Sequence, residues 1–156
     1  MSRVQLALRV SDLEGSIAFY SKLFNAEPAK VRRGYANFAI EEPPLKLVLI
    51  EGDAGEPTVM DHLGVEVFST GEVTAATTRL ADAGLVTLTE DDTTCCYAVQ
   101  DKVWVHGPGN EPWEVYTVKA DADSLAKADD SVCCAGAPAS AEQPAAIGVA
   151  SGRGCC

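Results

Sequence analysis

The sequence predicts an α+β fold: two tandem strand-helix-strand-strand-strand (βαβββ) modules, over about 3–52 and 61–118, forming one cup-shaped mixed sheet with the helices on the outside, then a flexible C-terminal tail over 119–156. Three observations predict it. Each half begins with apolar residues alternating at period two, the pattern of a half-buried strand. A capping box and a helical apolar repeat follow each of those stretches. From Lys119 onward the apolar patterning stops.

In the first half, Leu6, Leu8 and Val10 alternate with Gln5, Ala7 and Arg9, so the two sets face opposite sides of a strand. Ser11 and Glu14 stand at S-x-x-E spacing, and Leu13, Ile17, Tyr20, Leu23 and Phe24 recur at helical spacing, which predicts a helix from Leu13 to Phe24. Strands are expected near 30–33, 35–40 and 45–51, punctuated by Gly34 and by Pro43-Pro44.

Advancing 57 positions carries Gln5 onto His62 and aligns residues 5–10 with 62–67. Ser69 and Glu72 form a second capping box, opening a helix through about residue 83 that Gly84 stops. Strands near 85–90, 95–100, 103–106 and 113–118 complete the copy. A coincident strand, cap, helix and helix stop is the mark of an internal duplication. Parity then places Leu63, Val65 and Val67 under the helix, with His62, Gly64 and Glu66 on the opposite face, as Gln5, Ala7 and Arg9 are in the first half. Glu114 and Tyr116 share a face of the last strand. Two equivalent open faces together make the cup.

The formal charge of -11, from 23 acidic and 12 basic residues, argues against nucleic acid and anionic membrane surfaces, which select for Lys/Arg patches. No apolar run approaches the roughly 20 residues a bilayer requires. The N-terminus reaches the acidic turn at Asp12 before any long apolar region or small-residue cleavage site, so a cytoplasmic location is expected. The last 38 residues hold eleven alanines and no aromatic side chain, too little apolar area to offset the entropy of ordering.

The six cysteines occur only as adjacent pairs, Cys95-Cys96, Cys133-Cys134 and Cys155-Cys156. Neighbours in sequence make poor half-cystines for a disulfide framework, and in a reducing compartment such dithiols read as soft-metal or metalloid ligands. For one soft atom to meet both Cys95 and Cys96 the backbone must bend there, and Thr93-Thr94 suggests a strand start at that point. A flexible segment from Val118 to Cys133 spans roughly 20 Å, enough for the tail thiols to reach the cup. Of the two histidines, His62 gains meaning from its register with Gln5, and Glu114, among bulky neighbours, is a buried carboxylate in want of a cation. His106, beside the Gly107-Pro108-Gly109 turn, reads as a surface residue; Arg9 and Glu66 are expected to pair with each other or to face solvent.

The duplicated module, with polar positions on the first strand of each copy and on the last strand, resembles the vicinal oxygen chelate superfamily of glyoxalases, bleomycin-resistance proteins and extradiol dioxygenases. The runs Arg3-Val4-Gln5-Leu6-Ala7-Leu8, Phe19-Tyr20-Ser21-Lys22-Leu23-Phe24-Asn25-Ala26-Glu27-Pro28, Gly34-Tyr35-Ala36-Asn37-Phe38-Ala39-Ile40 and Thr94-Cys95-Cys96 onward to Tyr116 are similar to its organoarsenical carbon-arsenic lyase and cadmium-induced protein subfamily. That resemblance implies an iron(II)-dependent, dioxygen-using lyase that cleaves the carbon-arsenic bond of trivalent organoarsenicals, such as methylarsenite and aromatic arsenicals, to arsenite. It implies Gln5, His62 and Glu114 as metal ligands and catalytic centre, Cys95 and Cys96 as the arsenic-binding pair, and Cys133, Cys134, Cys155 and Cys156 as accessory thiols. Ala7 and Gly64 would leave room beside the metal, and Tyr116 would pack against the organic group. The dioxygenases of the superfamily usually carry His where this chain has Gln5, a weaker ligand, so another divalent metal could replace iron in purified protein. The two modules would meet within one chain or across a homodimer. The alternative implied by the same likeness is a cadmium- or arsenite-binding thiol buffer without catalysis.

Overall fold

A computed structural model describes residues 2–125. Its elements run β1 (Arg3–Val10), α1 (Leu13–Phe24), β2 (Lys30–Arg32), β3 (Tyr35–Ile40), β4 (Leu45–Glu51), β5 (Val59–Glu66), α2 (Thr70–Asp82), β6 (Leu88–Cys95), β7 (Ala98–His106) and β8 (Pro112–Asp121). All eight strands form one sheet in the order β2-β3-β4-β1-β5-β8-β7-β6. Read outward from the centre, the two modules have the same order, first strand, last strand, then the two middle ones. β1 is parallel to β4 and β5 to β8, while every other pairing is antiparallel. The duplication legible in the sequence is therefore present in the topology, and the modules meet within one chain through the antiparallel β1-β5 pair.

Local chemistry sets the helix ends. Asp12, not Ser11, caps α1, its carboxylate accepting from Gly15 N at 2.8 Å. An ionised oxygen at this position also meets the positive end of the helix dipole. Ser69 caps α2 as expected, and Glu72 reaches back to Phe68 N at 2.9 Å. Gly84, at φ 80, follows the Ala83 C-cap in a conformation that costs a side chain energy but glycine little.

Each helix covers the outer face of its own half. Leu13, Ile17, Tyr20 and Phe24 of α1 lie on a core of Val10, Phe38, Ile40, Leu47 and Leu49. Val73, Ala76 and Leu80 of α2 are buried against Val103, with Val67, Val105 and Val115 alongside. At about 1.5–3 kcal/mol per fully buried large aliphatic side chain, these two clusters stabilise the sheet from outside. The inner face carries a second apolar cluster, Ala7, Tyr35, Val48, Ile50 and Tyr97, beside a set of polar side chains. Leu63 and Val65, expected under α2, stay partly exposed and outside the cluster that α2 covers.

The second half differs from expectation in one respect. The three segments 85–90, 95–100 and 103–106 are a single long hairpin, β6 with β7. Its turn is Cys96-Tyr97, both left-handed at φ 54 and 59, the geometry of a two-residue hairpin loop. The polar pair Asp101-Lys102, which falls between the expected strands 95–100 and 103–106, is buried in the middle of β7. Asp101 accepts from Thr70 Oγ1 and from Asp92 N at 2.8 Å, and Lys102 is paired with Glu114, so neither charge forces the strand to the surface. β8 also runs past Val118 to Asp121, and Cys96 N and Tyr97 N then donate to Leu125 O and Ser124 O, each at 3.0 Å. The expected mobile tail beyond this point, with Cys133, Cys134, Cys155 and Cys156, lies outside the described residues. Among the described residues no helix is long and apolar enough to cross a membrane.

Candidate functional site

The concave face of the sheet holds a cavity of about 170 Å³, lined in part by Gln5, His62, Cys96, Gln100, Lys102 and Glu114. Gln5 comes from β1, His62 from β5 and Glu114 from β8, three strands that are adjacent in the sheet. The backbone register sets Gln5 opposite Gly64, and Gly64 opposite Glu114. A Cβ on Gly64 would stand 3.2 Å from both Gln5 Cβ and Glu114 Cγ, so only glycine lets these two side chains close over that position without displacement.

The three side chains converge. Gln5 Nε2 lies 2.9 Å from His62 Nε2 and donates to Glu114 Oε1 at 2.8 Å, and His62 Nε2 is 3.4 Å from the same oxygen. Glu114 is held a second time by Lys102 Nζ, 2.7 Å from Oε2. Burial pushes the pKa of this carboxyl up, but the Lys102 charge and the His62 hydrogen bond outweigh it and bring the pKa down to about 2. His62 is subject to the same contest. Burial disfavours its cation, yet Asp61 and Glu114 on either side raise its pKa to about 9.

Asp61 fixes the His62 ring from behind. Its Oδ1 is 2.6 Å from His62 Nδ1, and its Oδ2 is 2.6 Å from Arg9 Nε. A carboxylate on one ring nitrogen directs the other nitrogen toward the cup, the arrangement that orients imidazoles for metals. Arg9 was expected to pair with Glu66 or face solvent; it pairs with Asp61, because the antiparallel β1-β5 register sets Arg3 opposite Glu66 and carries Arg9 to the far end of the pair, opposite Val59. Glu66 pairs instead with Arg3 and with Lys46, the latter at 3.2 Å, and these two cations hold it below its ordinary pKa against the pull of burial.

Tyr116 is fully buried and donates its hydroxyl to Gln5 Oε1 at 2.6 Å, so it supports the Gln5 amide rather than facing the cavity for an organic group. Ala7 is likewise buried, among Tyr35, Val48, Ile50 and Tyr97, and offers no open space. His106 ends β7 and is exposed, as expected.

The two thiols lie at the hairpin turn. Cys95, the last residue of β6, is fully buried against Trp104, while Cys96 opens into the cavity, and their sulfurs are 3.1 Å apart. The bend that brings them together is the end of a strand, not its start. Cys95 is disulfide-bonded. Any chemistry that uses both sulfurs needs this bond reduced.

What the set could hold follows from its donors. Among the described residues no cluster of three or more His, Cys, Asp and Glu side chains is arranged for a metal. Here an amide stands beside one imidazole and one carboxylate. Turning the Gln5 amide over would present its oxygen to His62 and Glu114, and the Tyr116 hydroxyl, which donates or accepts, would then receive Nε2. Two oxygens and a nitrogen within hydrogen-bond distance fit a divalent cation in place of the protons that now bridge them. Sequence reasoning passed over Asp61 and Lys102. The signal for Asp61 was its place beside His62; Lys102 shares strand parity with Gln100 and Trp104, but nothing local marks it as buried.

Residues 3–115 match the family model of the Glyoxalase/Bleomycin resistance protein/Dioxygenase superfamily. The chain is 65% identical over 156 residues, all of both chains, to a protein of Thermomonospora curvata named trivalent organoarsenical cleaving enzyme. It is 58% identical over 145 residues, 87% of this chain and 95% of the other, to the cadmium-induced protein CadI of Mycobacterium tuberculosis. Among solved structures, it resembles an extradiol ring-cleaving dioxygenase from B. fuscum with a TM-score of 0.57 at 19% identity, over 78% of this chain and 34% of that one. A Mn(II)-bound glyoxalase from Novosphingobium aromaticivorans gives 0.55 at 21% identity, over 81% and 44%. At such identities these structures speak for the fold alone. With the paired modules, the shared cup and a family match across nearly the whole of both, the chain belongs to the Glyoxalase/Bleomycin resistance protein/Dioxygenase superfamily.

Proposed function

We propose that this protein cleaves the carbon-arsenic bond of trivalent organoarsenicals, with Cys95 and Cys96 holding arsenic and Gln5, His62 and Glu114 holding iron(II). The observation that carries the reading is that Cys96 and all three donors line one cavity. The 65% identity to the cleaving enzyme of T. curvata supports it.

In this reading the reduced pair Cys95-Cys96 displaces two arsenic-bound hydroxyls as water and leaves the organic group on arsenic, facing the donor set. The bound iron supplies the one-electron chemistry with dioxygen that a carbon-arsenic bond requires. The chain's own side chains prepare that site. Asp61 points His62 Nε2 inward, Lys102 holds the outer oxygen of Glu114, and Tyr116 holds the Gln5 amide. The buried walls around Trp104 and Tyr116 exclude water and strengthen these interactions. The thiol requirement is consistent with work in a reducing cytoplasm.

A second reading, a thiol buffer for cadmium or arsenite, is favoured by the neutral Gln5 amide, whose Nε2 faces His62 and Glu114. Protein reduced and loaded anaerobically with iron(II), then given methylarsenite and air, separates the two. The lyase reading expects arsenite to accumulate over many turnovers, with Glu114→Ala abolishing turnover and Cys96→Ser abolishing methylarsenite binding. Tight arsenical binding with no arsenite released would establish the buffer instead.

A further inference from the structure

Gln100 lies on β7 between Ala98 and Lys102, and all three line the cavity. A strand rises about 3.3 Å per residue, so Gln100 stands about 10 Å along the chain from Tyr97, the end of the thiol-bearing turn, and about 7 Å from the lysine on Glu114. It occupies the stretch between the two halves of the site. Its Nε2 approaches the Cys95 carbonyl at 3.5 Å, which sets the orientation of the amide and turns Oε1 away from that oxygen. Gln100 is 5% exposed, and its Oε1 is the one buried side-chain nitrogen or oxygen among the described residues that has no hydrogen-bond partner. A buried acceptor left without a donor is unfavourable, and in a cavity it calls for a donor on the ligand.

We propose that Gln100 reads the hydroxyl of thiol-bound arsenic, Oε1 accepting a hydrogen bond from the As–OH of arsenite held by Cys95 and Cys96. The exchange chemistry makes that hydroxyl informative. Arsenite, As(OH)3, reacting with two thiols forms two As–S bonds, breaks two As–O bonds, releases two waters and keeps one hydroxyl. Methylarsenite, CH3As(OH)2, undergoes the same exchange and keeps only its methyl group. Arsenic stays trivalent in both. Gln100 therefore finds a donor on the inorganic adduct and none on the methylated one, and it favours the state in which the carbon has left. This inference rests on the reading of Cys95-Cys96 as the arsenic-binding pair.

The test uses full-length, reduced, metal-free protein in which Cys133, Cys134, Cys155 and Cys156 are replaced by serine, so that only the turn pair reports. Dissociation constants for arsenite and for methylarsenite are measured by competition with a small dithiol, in the parent and in Gln100→Met and Gln100→Leu. The expected result is a three- to tenfold loss of arsenite affinity, about what one hydrogen bond contributes, with methylarsenite affinity unchanged within twofold. Retained methylarsenite binding also shows that each variant is folded. Equal weakening of both ligands, or no change in either, overturns the role of Gln100 while leaving the dithiol reading intact. Arsenical binding that survives Cys96→Ser overturns the dithiol reading and this inference with it.

Discussion

Lys102 Nζ stands 2.7 Å from Glu114 Oε2, and neither side chain is more than 2% exposed. A charge pair this deep gains little net stability over an apolar pair, but losing one partner strands the other. Lys102→Met is expected to destabilise the metal-free protein by about 3 kcal/mol, the lower end of the usual range because His62 remains beside the carboxylate. Urea unfolding measures it. A loss under about 1 kcal/mol would mean that Glu114 is held well enough by Gln5 and His62 alone.

Asp61 sits between Arg9 and His62, each at 2.6 Å. Asp61→Asn keeps the shape and removes the charge, so the His62 pKa should fall from about 9 toward the ordinary 6.5, seen in the ring C–H shifts during an NMR pH titration. Divalent-metal affinity should drop about 10- to 100-fold by calorimetry, the usual effect of removing a histidine's orienting carboxylate. An unmoved His62 titration would show that Glu114 alone raises it.

The pH dependence of stability follows from the same two groups, with opposite signs. His62 has its folded pKa raised to about 9, so its contribution is complete below about 6.5 and is lost as pH rises toward 9. Glu114 has its folded pKa lowered to about 2, so its contribution is complete above about 4.5 and is lost as pH falls toward 2. The melting temperature of metal-free protein should therefore be highest between about pH 4.5 and 6.5 and decline on both sides. In His62→Gln the alkaline decline should flatten; a decline of the same size would assign it to another group.

Gly64→Ala places a methyl group 3.2 Å from Gln5 Cβ and Glu114 Cγ. The two side chains must then part by a few tenths of an ångström. The expected cost is about 1–2 kcal/mol in thermal or urea unfolding, at the modest end for overpacking, with at least tenfold weaker divalent-metal binding. Unchanged metal affinity would show that the donors do not act as one set.

Much of the architecture was legible because its determinants are local. The α1 boundaries, the Ser69 cap and the Gly84 stop rest on spacing within one segment, and the 57-residue offset between Gln5 and His62 on comparing two such segments. Errors fell where satisfaction came from a distance. Asp101-Lys102 falls between two expected strands until the hydrogen bond from Thr70 and the ion pair with Glu114 are seen to satisfy it in mid-strand. Tyr116 looked like a wall for a ligand, yet its hydroxyl is committed to Gln5.

By itself the sequence determined the period-two strands, the capped helices, their duplication and the adjacency of Cys95 and Cys96, since each depends only on residue type and interval. The tertiary structure decided the rest. A left-handed Cys96-Tyr97 turn sets the sulfurs 3.1 Å apart, the antiparallel β1-β5 pair with β8 alongside brings Gln5, His62 and Glu114 to one point, and Lys102 and Asp61 set the charges around them. Electrostatic effects act through space, and in a low-dielectric cup they depend on distances that the order of residues along a chain does not specify.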